Sequence, residues 1–380
     1  MNPKPNIMFI AGDPSGDTHS APIVKKIITE YPGARVWGIG GPLMQKEGFE
    51  PLLPFEPFNK MGFLEVAGHL NFFLKAKSFL IDQLESNRPD LVVCVDYPGF
   101  NIPFMKAAKK LGIPVLWYIA PMVWAWKKKR AAVLAQEASH IACIFPFEVD
   151  YFKPYTKNVS FVGNPLVEAI DKEASPQEKC KDTRPTVAIV PGSRVQEIEK
   201  MLLPMVEAYK IMRQKVPDLQ AVVSKCRGLP DKYFYCLETE GISFSSESLK
   251  EIMKRADVAI VKSGTATLET ALMGIPHVIV YKTSWISYKI LKSFVKIKFI
   301  GLPNIISGSE VVPECIQKDA DPSIIASKLL LFLQNGDYYR ETVGKLTGLK
   351  KFLGEKYPSE AVFSLIQSIL INVNTSNGNK

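Results

Sequence analysis

One carboxylate and three glycine-containing loops are the residues of this chain best suited to chemistry. Asp96, in VDYPGFN (95–101), ends the apolar run LVVCVD, where packing gives no reason for a charge. Capping or turn formation is its plain structural role. The chemical role is proton acceptance from a hydroxyl, because an aspartate of pKa about 3.9 is ionised near neutrality unless desolvated. AGDPSGD (11–17) follows the opening apolar run. Its Gly12 and Gly16 allow a tight turn with close backbone approach, and Ser15 and Asp17 can cap the helix that follows. No lysine follows the second glycine, so this is not a Walker loop; a plain strand-to-helix turn has the same composition. GIGG (38–41) is a weaker phosphate-loop candidate.

Two further loops suit an anion. In VPGSRVQEIE (190–199), Gly192 and Ser193 open a helix and Arg194 adds a fixed cation beside its free amides. The helix dipole favours an anion there by about 0.3–1 kcal/mol, and charge-assisted hydrogen bonds add to it. A capped helix with a solvent-facing arginine is the alternative. In KSGTATLET (262–270), the run Ser263, Gly264, Thr265, Ala266, Thr267 supplies three hydroxyls around a glycine, and Glu269 stands a short way into the next helix, where it could meet the vicinal hydroxyls of a ribose. Together these two loops suggest a nucleoside diphosphate. DAD (319–321) resembles a metal-binding carboxylate pair but sits in a proline-marked polar stretch, where a solvated turn is the simpler reading.

These loops need elements to hold them, and the chain supplies short apolar runs alternating with amphipathic ones. NIMFIAG, LVVCVD, IPVLWYIA, HIACIF and NVSFVG read as strands, with helical spacing at Ile23, Val24, Ile27 and Ile28 and a helix closed by Gly112 between them. A polar, proline-marked stretch near 168–185 reads as a linker, after which TVAIV, LQAVVS, DVAIVK and IPHVIVYK restart the alternation. The expected fold is α/β: two Rossmann-like doubly wound domains facing across a cleft. The domains are 1–167 on the acceptor side and 168–352 on the nucleotide side, with 353–372 as a closing helix packed back on the first. SEAVFSLIQSILI (359–371) is its amphipathic part, followed by a polar tail expected to fray.

Composition bounds the partners. The 380 residues, 47% hydrophobic and 22% charged, exclude a disordered or fibrous chain. A net charge of +9 favours a negatively charged partner: nucleic acid, anionic lipid or a phosphorylated substrate. The six cysteines form no C-x-x-C pair and the four histidines never fall at ligand spacing, so the expectation is no metal, no cofactor and a reducing compartment. The opening MNPKPNIMFIAG lacks a basic start and cleavage site, and no apolar run of about 18 residues occurs. VWAWKKKR (123–130) interleaves tryptophan with basic residues, but no second aromatic–basic face supports nucleic acid. HLNFFLKAKSFLI (69–81), with Phe72, Phe73 and Phe79, and WISYKILKSFVKIKFI (285–300), with Trp285 and Tyr288, combine aromatic and cationic residues in the way a membrane surface attracts. Core-facing helices with snorkelling lysines compete with that reading.

AGDPSGD, MGFLEV (61–66), VDYPGFN, VWAWKKKR, FPFE (145–148), PGSR, SGTATLE and LPNIISGSEVVPECIQ (302–317) together resemble the lipid-A-disaccharide synthase family, in order along residues 9 to about 317. The resemblance implies a GT-B glycosyltransferase. Its reaction is inverting transfer of a 2,3-diacylglucosamine from a UDP donor to 2,3-diacylglucosamine 1-phosphate, giving a β-1,6 disaccharide 1-phosphate and UDP. The position matching the family's essential aspartate is Asp96, implied to be the base. Ser193, Arg194, Ser263, Gly264, Thr265, Ala266, Thr267, Glu269, Asn304, Glu310 and Gln317 are implied to line the donor side, and Gly12, Ser15, Gly16 and Asp17 the acceptor side. Asp13, Ala120, Met122, Asn164 and Gly99 stand where family members commonly have Glu, Ser, Gln, His and, in some, a second Asp. An acylated substrate implies peripheral attachment to the cytoplasmic face of the inner membrane. An enzyme acting on an undecaprenyl-linked acceptor, a UDP-sugar epimerase and a nucleotide-sugar-binding regulator share parts of this pattern.

Overall fold

The structure is a computed structural model that describes residues 4–59, 66–121, 128–172, 184–226, 228–283, 298–354 and 357–377. It divides into two compact units, Met1–Glu168 with Leu353–Lys380, and Ala169–Phe352.

The first unit is built on seven strands: β1 (Asn6–Ile10), β2 (Arg35–Ile39), β3 (Glu50–Pro51), β4 (Leu91–Val95), β5 (Val115–Tyr118), β6 (His140–Cys143) and β7 (Val159–Phe161). They lie in the order β3-β2-β1-β4-β5-β6-β7, all parallel. Such strands must be apolar on both faces, because crossover helices cover each side. The two faces alternate as the pleat demands. Met8, Ile10, Val92, Cys94, Val115 and Trp117 enter one core, and Ile7, Phe9, Leu91, Val93, Val95, Leu116 and Tyr118 the other.

The second unit repeats the design with β8 (Thr186–Val190), β9 (Gln220–Ser224), β10 (Ser243–Ser245), β11 (Val258–Lys262), β12 (His277–Tyr281) and β13 (Glu314–Ile316), in the parallel order β10-β9-β8-β11-β12-β13. Val187, Ile189, Val258, Ile260, Val278 and Val280 face the helices Val195–Lys215 and Pro322–Gln334, while Ala188, Val190, Ala259 and Val261 face the opposite core.

In both sheets the strand order reverses once, between β1 and β4 and between β8 and β11. Adjacent crossovers there leave in opposite directions, so the chain opens a crevice beyond the carboxyl ends of those strands. The four loops singled out above are the continuations of these four strands: β1 into 11–17, β4 into 96–101, β8 into 191–194 and β11 into 263–264.

Several expectations need correction. The stretch expected as linker begins as helix, Pro165–Lys172, and residues 173–183 lie outside the described residues. The last helix spans Pro358–Asn377, so residues 372–377 continue it rather than fray. Val362, Phe363, Ile366 and Leu370 pack it on Ile23, Val24 and Ile27 of the helix Pro14–Glu30. Glu168 accepts from both the amide and the hydroxyl of Ser359, fastening its first turn. GIGG is a packing device: a Cβ on Gly38, at φ +131°, would come within 2.2 Å of the Phe9 carbonyl oxygen. Cys94, Cys143 and Cys315 are buried, but Cys236 is exposed. Among the described residues no helix is long and apolar enough to cross a membrane.

Candidate functional site

The first unit's crevice is organised by a backbone strain and the side chain that holds it. Asp96 (φ +42°) and Tyr97 (φ +51°) are consecutive non-glycine residues in the left-handed region, a conformation costing about 1–3 kcal/mol per residue and kept only where surrounding structure enforces it. The enforcing group is Asn101, fully buried in the helix Pro98–Lys110. Its Nδ2 donates toward the carbonyls of Asp96 (2.8 Å), Val95 (3.1 Å) and Ile10 (3.3 Å), drawing together the ends of β1 and β4. The Asp96 amide donates to Tyr118 O at 2.9 Å. Gly12 lies close under Tyr97, since a Cβ there would stand 3.2 Å from its ring. Gly99, next to the aspartate, is exposed, and a Cβ there would meet nothing within 4 Å.

This setting changes the acidity of Asp96. Burial, and then the nearby carboxylate of Asp13, push its pKa up to about 6 against a hydrogen bond from the Tyr97 amide. Asp13 is itself raised by burial, opposed by hydrogen bonds from the amide of Gly16 and its own. A carboxyl poised near 6 is mostly ionised at neutral pH yet more basic than a solvated aspartate, a useful state for accepting a hydroxyl proton.

The expected capping roles are reassigned. The cap of the helix Pro14–Glu30 is Asp13, whose Oδ1 accepts from Gly16 N at 3.0 Å. Asp17, buried, instead receives the amides of Leu43 (3.0 Å) and Met44 (2.9 Å), capping the short helix Pro42–Lys46 across the sheet edge. Ser15 is exposed, and a Cβ on Gly16 would stand 2.7 Å from Asp13 Oδ1 and within 3.5 Å of the Ala11 and Val95 side chains. Asn164 accepts from Leu166 N and donates to Ile144 O, a structural role.

In the second unit, Ser193 and Arg194 are exposed at the start of the helix Val195–Lys215, with Arg194 at its N-cap. Gly264 caps the helix Thr265–Leu272, leaving Thr265 exposed and Ala266 half-buried. Ser263 Oγ donates to Ile300 O (3.2 Å) and Thr267 Oγ1 to Gly264 O (2.7 Å), so both hydroxyl protons are engaged within the protein. Sequence reasoning missed the pair that joins these loops. Lys262 Nζ lies 2.7 Å from Glu197 Oε1, and Glu197 Oε2 accepts from Ser193 N at 3.0 Å. Burial opposes ionisation of Glu197, but Lys262, the Ser193 amide and Arg194 together hold its pKa below the ordinary value. The Cys226 thiol beyond β9 is raised by burial and then by Glu197 and Glu269, so both carboxylates converge on this end of the sheet.

The last motif holds a loop. Asn304, fully buried, donates to Val312 O and Glu314 Oε1 and accepts from the amides of Val311 and Val312. Its hydrogen-bonding capacity is spent inside the protein. Glu310 is exposed, whereas Glu314 receives the amides of Ile300 and Gly301. Gln317 pairs both ways with the backbone of Thr283, at 2.7 and 3.1 Å.

Of the expected lipid-facing residues, Phe72 and Phe73 are half-buried and pack edge-to-face on Phe58, with ring centroids at 5.2 and 5.7 Å. Phe79 is 38% exposed and Leu74, on the same helix, 55%. Trp285, Tyr288, Trp124 and Trp126 lie outside the described residues. Asp321 of DAD caps the helix Pro322–Gln334 by accepting from Ser323 N. Among the described residues no group of three or more His, Cys, Asp or Glu could hold a metal ion.

Two parallel, doubly wound sheets define a two-domain α/β fold, that of GT-B glycosyltransferases and their structural neighbours. Solved structures with this fold include the UDP-N-acetylglucosamine 2-epimerase from Neisseria meningitidis bound to UDP-GlcNAc (TM-score 0.65, 12% identity, 96% of this chain and 99% of that one) and the calicheamicin glycosyltransferase CalG4 (TM-score 0.62, 13% identity, 97% and 99%). The profile described as Lipid-A-disaccharide synthetase matches residues 7–361. The lipid-A-disaccharide synthases of Geobacter sulfurreducens and Coxiella burnetii (strain CbuG_Q212) are each 34% identical to this chain over 97% of it, covering 98% and 99% of their own lengths. The chain therefore belongs to the lipid-A-disaccharide synthase family of UDP-sugar glycosyltransferases, which form the lipid A disaccharide.

Proposed function

We propose that Asp96 is the general base of this transfer and that the loops after β8 and β11 hold the UDP of the donor. The donor is a UDP-activated 2,3-diacylglucosamine and the acceptor a 2,3-diacylglucosamine 1-phosphate. In one displacement, the acceptor 6-hydroxyl oxygen bonds to the anomeric carbon, the bond from that carbon to UDP breaks, and the hydroxyl proton passes to Asp96. The configuration inverts and UDP leaves. Asp96 would supply about 10²–10⁴-fold of the rate. Arg194 and the exposed amides at Thr265 would offset the charge growing on the leaving diphosphate, and Glu269 would accept from the ribose hydroxyls. Glu314, Asn304 and Gln317 would act by fixing the loops beside β12 and β13, not by touching the donor.

The observation that carries this reading is the strained Asp96 at the first sheet's switch point, with its carboxyl shifted to about 6. Mass analysis of the product from acylated UDP-glucosamine and the monosaccharide phosphate tests it: a disaccharide phosphate formed by wild type and not by Asp96→Asn supports the assignment.

Substrates with acyl chains reside in bilayers, so we propose peripheral attachment to the cytoplasmic face of the inner membrane. The net charge of +9 and the exposed Leu74 and Phe79 beside Lys75 support it. Flotation with anionic vesicles at low salt, lost in Leu74→Ser/Phe79→Ser, is the expected result; no flotation by wild type would overturn it.

A further inference from the structure

The Lys262–Glu197 pair has a geometry that a simple surface ion pair lacks. Glu197 is the third residue of the helix Val195–Lys215, and its carboxylate folds back over the start of that helix. One oxygen takes the Ser193 amide at 3.0 Å and the other the Lys262 ammonium at 2.7 Å. Only glycine fits at position 192, at φ +126°, since a Cβ there would stand 2.5 Å from Glu197 Oε2. Lys262 ends β11 immediately before Ser263, and a Cβ on Gly264 would lie 3.8 Å from its Nζ, which puts the ammonium beside the second anion-suited loop. Both side chains are largely withdrawn from solvent, at 18% and 19% exposure. A cation and a helix-start amide thus grip two oxygens of one anion, the donor set that a phosphoryl group requires.

We propose that Glu197 is an internal stand-in for the donor's diphosphate, and that Lys262 is a donor-binding residue that exchanges Glu197 for the diphosphate when the nucleotide sugar arrives. This rests on the reading of the second unit as the UDP-holding one and adds a residue and an exchange step to it. The exchange keeps a buried ammonium paired in both states, avoiding the cost of stranding it. It also sets a threshold, because the nucleotide must compete with an anion already seated. The reverse exchange helps UDP depart.

Calorimetric titration of the full-length chain with UDP separates this from a purely structural staple, because the two substitutions then act with opposite sign. Glu197→Gln keeps an oxygen for the Ser193 amide but removes the competing charge, and should tighten UDP about three- to tenfold. Lys262→Met should weaken it about tenfold or more, with Lys262→Arg recovering part of the loss. In the double variant the tightening should vanish. A staple would give weaker binding in both single variants and a lower unfolding midpoint in both. A wild type that binds UDP, with Glu197→Gln no tighter, overturns the exchange alone. A wild type that binds no UDP overturns the donor-side reading and the exchange with it. If Lys262→Met does not fold, the Glu197→Gln and Lys262→Arg titrations still decide, since Glu197→Gln must tighten UDP and Lys262→Arg must weaken it by less than about tenfold.

Discussion

The carboxylate of Asp13, which caps the helix after β1, raises the pKa of Asp96 at the end of β4. Two acids are thus set against each other across the first sheet's switch point, with Asp96 titrating near 6. A general base must be deprotonated, so kcat/KM should rise with pH and level off above about 6. Asp13→Asn keeps an oxygen for the Gly16 amide while removing the repulsion. Its rising limb should move to lower pH, and a limb that stays in place would separate Asp13 from the titration.

The same shift has a consequence for stability. Asp96 binds its proton more tightly in the folded chain than in the unfolded one. Folding is therefore favoured by this group below about 4, and that contribution is lost as pH rises toward about 6. Asp96→Asn should be more stable than wild type at pH 8, by on the order of 2 kcal/mol, and show little gain at pH 4. Urea unfolding at the two pH values measures the difference.

Asn101 anchors the strained turn, and its loss removes the donor that faces the carbonyls of Ile10, Val95 and Asp96. Asn101→Ala should cost about 2–4 kcal/mol of stability, from unsatisfied buried groups plus a cavity. Turnover should fall further than the folded fraction accounts for, because Asp96 and Tyr97 lose the contact that keeps them left-handed. Denaturant unfolding paired with rate measurements on the folded fraction checks both parts.

The crevice loops were legible in the sequence because a parallel sheet writes its strands as continuous apolar runs, and each run ended in a polar or glycine-rich turn. Asp96 stood out for the same reason: a carboxylate closing LVVCVD does no packing. What stayed hidden depended on strand order. Asp17 caps a helix 25 residues away, and Glu197 meets Lys262 across 65 residues, contacts that exist only because β1 adjoins β2 and β8 adjoins β11. The family resemblance implied a donor-side place for Asn304; that its amide bonds to Val312 O, Glu314 and the amides of Val311 and Val312 is visible only in the fold. Glu314 meets the amides of Ile300 and Gly301 across 14 and 13 residues, a contact that only the folded chain shows.

Arg194 and Asn304 should separate cleanly. Arg194 is exposed at a helix start, so Arg194→Gln should leave the unfolding midpoint unchanged and weaken UDP roughly tenfold, the worth of a charge-assisted hydrogen bond. Asn304→Ala should lower the midpoint by several degrees, since it frees two buried amides and a carbonyl. Equal effects of the two substitutions on the midpoint would contradict this division of roles.

The most direct measurement takes Asp96→Asn, tests its fold by circular dichroism, and compares its UDP affinity and its single-turnover rate on the acylated substrates with those of wild type. UDP affinity within about twofold of wild type and a rate lower by about 10²–10⁴ are expected of a lost base. A folded variant that turns over at near the wild-type rate would contradict the role given to Asp96.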